Sequence, residues 1–152
     1  MKLIGYAAFS FVFLALTSCQ ECNVSKDKGN PDRFIRLLNQ QGEDLWFGTT
    51  ARYNPDSVKF IHEREGELAK EVKTGTQSVV IKFPETQDQP EEIIMQLDSV
   101  TSHTLTYNTL VFVNNECEQE YTLSYVKLNG EQMCGSCGNT QFNDDRYINL
   151  RL

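Results

Sequence analysis

The stretch Glu92-Ile93-Ile94-Met95-Gln96-Leu97-Asp98 decides the fold class, because its apolar residues recur at the two-residue period of a pleated strand. Ile93, Met95 and Leu97 share one side of it. Upstream, Gln77 to Phe83 repeats the pattern and puts Val79, Ile81 and Phe83 on one face. Between the two runs lies a polar loop, Pro84 to Pro90, whose two prolines exclude a central strand. Downstream, His103 to Val113 is the longest β-rich run, dense in Thr, Tyr and Val. Its length predicts a central strand, or one bent across two sheets at a bulge.

Working outward, short apolar runs alternate with turn signals at intervals that suit an antiparallel sandwich or barrel. Arg33 to Leu38 is the first run, and Gln40-Gln41-Gly42 turns it toward a short strand at Asp44-Leu45-Trp46-Phe47. Asn54-Pro55-Asp56 opens the strand Ser57 to His62, and Glu63 to Glu67, with Gly66, reads as a solvated turn. Glu67 to Lys73 contains helix formers, but it is short and bounded by Gly66 and Gly75, so it reads as a strand or one helical turn. Tyr121 to Leu128 is a strand whose phase stays open, burying either Tyr121, Leu123 and Tyr125 or Val126 and Leu128. Asn129-Gly130 predicts a type I′ hairpin, since both central residues of that turn need positive φ. The last strand, Tyr147 to Leu152, can present Ile148, Leu150 and Leu152 to a core. The expectation is an all-β domain, an antiparallel β sandwich of Ig-like or prealbumin-like type with about 7–9 strands.

The chain has 152 residues and a formal net charge of −7. Lys2 stands before an apolar run from Leu3 to Leu16, which ends in Leu16-Thr17-Ser18-Cys19. A run of about 14 residues is too short to cross a roughly 30 Å hydrocarbon core as a helix and suits a signal-peptide h-region. The four residues resemble the lipobox of bacterial lipoproteins. That resemblance implies a diacylglyceryl group on the Cys19 thiol, cleavage before Cys19 and acylation of the new amino terminus. Gln20 resembles the class sorted to the outer membrane, on either its periplasmic or its surface face.

Residues 1–18 are then a signal peptide, 19–32 a polar tether and 33–152 the folded domain. Without Lys2 the mature chain carries a formal net charge of −8, which argues against nucleic acid or an anionic membrane face as partner. The partners expected are the membrane, through the lipid anchor, and a protein or glycan of unknown identity. "RLLNQQGEDLWFG", "YNPDSVKF" and "YVKLNG" (beginning at Arg36, Tyr53 and Tyr125) are similar by pattern to small β-sandwich lipoproteins of Bacteroidota envelopes. Those proteins lend no activity.

Chemistry is sparse. No phosphate loop, nucleophile elbow, H-E-x-x-H or EF-hand loop is present, and no cofactor is implied. His62-Glu63 begins like a zincin helix, but Gly66 stands where the second histidine belongs, so it reads as a polar strand end. Asn143-Asp144-Asp145 has oxygens that suit Ca²⁺, yet acidic loops are usually only solvated, and no metal is expected. Trp46 is a candidate ligand contact if exposed and simply core if buried; core is the favoured reading. Asp56-Ser57-Val58 and Asp98-Ser99-Val100 match an O-glycosylation pattern of Bacteroidota envelope proteins, marking Ser57 and Ser99.

Cys19 is assigned to lipidation, leaving Cys22, Cys117, Cys134 and Cys137. Cys134-Gly135-Ser136-Cys137 is a CxxC that suits a redox pair, half a zinc site or a disulfide framework. An oxidising compartment and a Gly-rich loop after a strand favour the structural disulfide. Cys117 is expected to pair with Cys134 or Cys137, leaving the other thiol free or linked to Cys22. The function expected is a lipid-anchored binding or structural module and not an enzyme. A periplasmic thiol-disulfide protein and a surface carbohydrate- or protein-binding module are the alternatives.

Overall fold

The computed structural model of the protein describes residues 32–86, 89–113, 119–134 and 146–152. Ten strands occur among them: β1 Asp32–Leu38, β2 Lys59–His62, β3 Gly66–Glu67, β4 Lys70–Lys73, β5 Ser78–Lys82, β6 Glu91–Gln96, β7 Ser102–Val113, β8 Gln119–Leu128, β9 Glu131–Cys134 and β10 Tyr147–Arg151. The described helical structure is one 3-10 turn, Thr74–Thr76. The strands form a four-stranded sheet in the order β10-β1-β5-β4 and a six-stranded sheet in the order β3-β2-β6-β7-β8-β9. Pairing is antiparallel except between β1 and β10, where Phe34 lies beside Tyr147 and Leu37 beside Leu150 in parallel register.

The two sheets pack as a β sandwich through the residues that alternation selects. Ile35, Leu37, Val79, Ile81, Ile148 and Leu150 from the smaller sheet share one core with Phe60, Ile93, Met95, Leu105, Tyr107 and Val126 from the larger. Ile93 and Met95 are fully buried, as the period of Glu92–Asp98 requires. Burying such a side chain stabilises the fold by about 1.5–3 kcal/mol through apolar area alone. The strand count exceeds the 7–9 expected. The two-residue β3 closes what reads as a plain turn, and β4 resolves the short Glu67–Lys73 stretch as strand.

β8 shows why one phase could not serve the whole strand. Asn108 pairs with Tyr125 and Thr109 with Leu123, so Ser124 is an extra residue in a β-bulge. The bulge switches the alternation, and Leu123 before it and Val126 and Leu128 after it all reach the core. At the far end of β8, Asn129 (φ 49°) and Gly130 (φ 88°) make the two-residue hairpin into β9 with both positive angles. Asn129 also extends the sheet sideways. Its N–H donates to the Thr104 carbonyl at 2.8 Å, and its Oδ1 accepts from the Thr104 N–H at 2.9 Å.

The short strand expected at Asp44–Phe47 is absent. Asp44 makes a single bridge to Leu38, and its Oδ1 accepts from the N–H groups of Trp46 (2.8 Å) and Phe47 (2.9 Å). A side chain that takes two backbone donors in this way replaces the ladder with a turn.

Candidate functional site

A polar cluster interrupts the apolar core at the end of the six-stranded sheet where β2, β6 and β7 lie side by side. His62 ends β2 with its side chain on the core-facing phase and is only 2 % exposed. Its Nε2 lies 2.8 Å from Oε2 of Glu91, the first residue of β6. The same oxygen accepts from Arg64 Nη2 at 2.7 Å and faces the Tyr107 hydroxyl at 3.4 Å. The Tyr107 hydroxyl also stands 3.3 Å from His62 Nε2, and its ring packs edge-on against Phe83 at 5.0 Å. Arg64 reaches beyond the cluster to the Glu85 carbonyl at 2.8 Å, so the guanidinium ties the turn after β2 to the loop before β6.

The electrostatics follow from this geometry. Burial alone pushes the Glu91 carboxyl up, but hydrogen bonds from Arg64 and His62 outweigh it and hold the group below the usual carboxylate range. Burial, with the Glu91 charge next to it, drives the Tyr107 hydroxyl well above the ordinary phenol range. The Arg64 guanidinium is raised by its bond to Glu91. His62 Nδ1 is buried with no hydrogen-bond partner. An ionised carboxylate can only accept, so it is His62 Nε2 that donates to Glu91. Arranged in this way, Glu91 stays ionised and Tyr107 stays protonated. The cluster fastens β2, β6 and β7 together at one end. No group of three or more His, Cys, Asp or Glu residues placed to hold a metal occurs among the described residues.

The residues singled out by sequence are dispersed. Trp46 is 2 % exposed and belongs to the core cluster, so its ring offers no face to a ligand. Burial overturns the ligand contact and leaves the core reading. Ser57 lies exposed in the turn before β2, where its N–H bonds the Asn54 carbonyl at 3.0 Å. Ser99 is exposed in the bend between β6 and β7, where Asp98 Oδ1 accepts from Val100 (2.8 Å) and Thr101 (2.7 Å). Val100 beside it is 89 % exposed, whereas Val58, which follows Ser57, is fully buried. His103 is half-buried on β7, and its Nδ1 takes a bond from Asn129 Nδ2 at 2.8 Å.

Cys134 is half-buried as the last residue of β9 and is disulfide-bonded. Cys19, Cys22, Cys117, Cys137 and Asn143-Asp144-Asp145 lie outside the described residues. The cluster around Glu91 carried no sequence motif. Its one local signal, His62-Glu63, points to the wrong acid, since the partner carboxylate comes from Glu91. Among the described residues no helix is long and apolar enough to cross a membrane. Comparison with known protein families, with curated proteins and with solved structures finds no match to the chain.

Proposed function

We propose that the chain is a lipid-anchored protein of the bacterial cell envelope whose β sandwich is a binding or structural module without catalysis of its own. The observation that carries this reading is Leu16-Thr17-Ser18-Cys19 at the end of the apolar run, 13 residues before β1 begins. Cys19 receives the lipid, and Gln20 directs the anchored chain to the outer membrane. Two or three acyl chains hold a domain at the bilayer where one would exchange, at roughly 0.8 kcal/mol per buried CH₂. Ser57 and Ser99 accept O-linked glycans, Ser99 the more readily because its whole acceptor tripeptide stands in solvent. Cys117 closes a bridge to Cys134 or Cys137.

The test is incorporation of labelled fatty acid in cells. The parent protein takes up label and is cut before Cys19, and Cys19→Ala loses both together. Equal labelling of the two proteins would overturn the reading.

A further inference from the structure

The formal net charge of −7, which taken as a whole argues against an anionic membrane face, is not spread evenly over the described strands. Strand alternation aims Arg36 of β1, Lys73 of β4, Lys82 of β5 and Arg151 of β10 away from the core, on the outer side of the four-stranded sheet. Arg146, just before β10, joins them, with its guanidinium carbon 5.7 Å from the centroid of the outward-facing Phe34 ring. Phe34 in turn lies against Tyr147, ring centroids 5.0 Å apart. Among the described residues the acidic ones of this face are Asp32, opposite Lys82 in register, and Glu71, which is paired with Lys73. Lys82 and Arg151 are exposed and engaged in no ion pair among the described residues. The outer side of the six-stranded sheet differs: Lys59 is paired with Glu67 at 3.1 Å, Glu92 faces outward, and Lys127 lies over the Tyr125 ring.

The geometry points to the outer face of the β10-β1-β5-β4 sheet as a docking surface for the anionic phospholipid headgroups of the membrane that anchors the chain. Two observations select this occupant. The face is cationic and carries aromatic rings, so it is complementary to phosphate. β1, a central strand of that sheet, is also where the segment from Cys19 enters the fold. Those 13 residues span at most about 45 Å when extended, so an anchored domain meets the lipid surface at high effective concentration. Screening within about 8 Å at physiological ionic strength means that the acidic loops elsewhere do not cancel a face in contact. Each cation close to an anionic surface adds about 1 kcal/mol, a roughly fivefold gain in occupancy.

This inference rests on the lipid-anchor reading, and the experiment separates the two. The purified full chain is incubated with vesicles of phosphatidylcholine alone and with vesicles of phosphatidylcholine and phosphatidylglycerol. Flotation with the neutral vesicles reads the anchor. Acetylation rates of individual lysines, read by peptide mass spectrometry, report the face. On anionic vesicles Lys82 and Lys73 react about fivefold more slowly than on neutral ones, Lys59 and Lys127 keep their rates, and high salt abolishes the difference. In the double variant Lys82→Gln, Arg151→Gln flotation persists and the protection of Lys73 is lost. Equal rates for Lys82 and Lys73 on the two vesicles would overturn the docking face whatever the flotation shows. A chain that fails to float on neutral vesicles would overturn the anchor, and the labelling on anionic vesicles would still decide the face.

Discussion

Glu91→Gln removes one negative charge and almost no volume, so it isolates what the carboxylate does for β2, β6 and β7. Its Oε2 accepts from a nearly fully buried His62 at 2.8 Å and lies 3.4 Å from the Tyr107 hydroxyl, with the Glu91 side chain itself 18 % exposed. A hydrogen bond to a charged acceptor in such a place contributes about 1.5–3 kcal/mol, and the amide keeps part of it as a neutral acceptor. The exposed Arg64 arm is screened by solvent and adds little. The expected loss is therefore about 2 kcal/mol at neutral pH. Urea unfolding of the parent and the variant reads it as a lower midpoint at unchanged slope.

The pH dependence gives a second readout. Glu91 has its folded-state pKa below its unfolded value near 4.5, so its stabilisation is fully present above that pH. It is lost as pH falls through the folded-state value, and the gap between the two proteins should close over the same range. Equal midpoints at neutral pH, or a gap that does not narrow in acid, would refute the account of the cluster.

Gly130→Ala puts a Cβ on a residue with φ 88° and should cost about 1 kcal/mol, visible in thermal melts. Asn129→Ala loses the side-chain bonds to Thr104 and His103 as well and should cost more. Ile93→Ala empties a fully buried position and should destabilise by about 2–5 kcal/mol in urea unfolding, whereas Ile94→Ala, 38 % exposed on the other phase, should cost much less. Peptide mapping of the alkylated, unreduced protein should recover Cys117 joined to Cys134 or Cys137. Recovery of Cys117 as the alkylated thiol would refute that pairing and favour the CxxC pair.

Features set by neighbouring residues were legible from sequence, and features set by distant pairing were not. Ile93, Met95 and Leu97 carry their burial in simple alternation, Val79, Ile81 and Phe83 do so on a strand that buries Ser78 and Val80 as well, and Asn129-Gly130 carries its turn in two adjacent residues. β8 resisted because the extra residue, Ser124, is defined only by its pairing with β7. Asp44-Leu45-Trp46-Phe47 misled because Leu45 and Trp46 are indeed buried, but by a turn that Asp44 holds. The Glu91 cluster joins residues 29 and 45 positions apart, and only the β2-β6-β7 register brings them together. The basic face is assembled from alternate residues of four strands, a pattern that net charge averages away.

The most direct test of the account is the mass of the amino-terminal peptide of the protein recovered from bacterial membranes. The account predicts a chain that begins at Cys19 and carries a diacylglyceryl group with an acylated amino terminus. A chain that retains residues 1–18, or one that begins elsewhere with an unmodified Cys19 thiol, would contradict it.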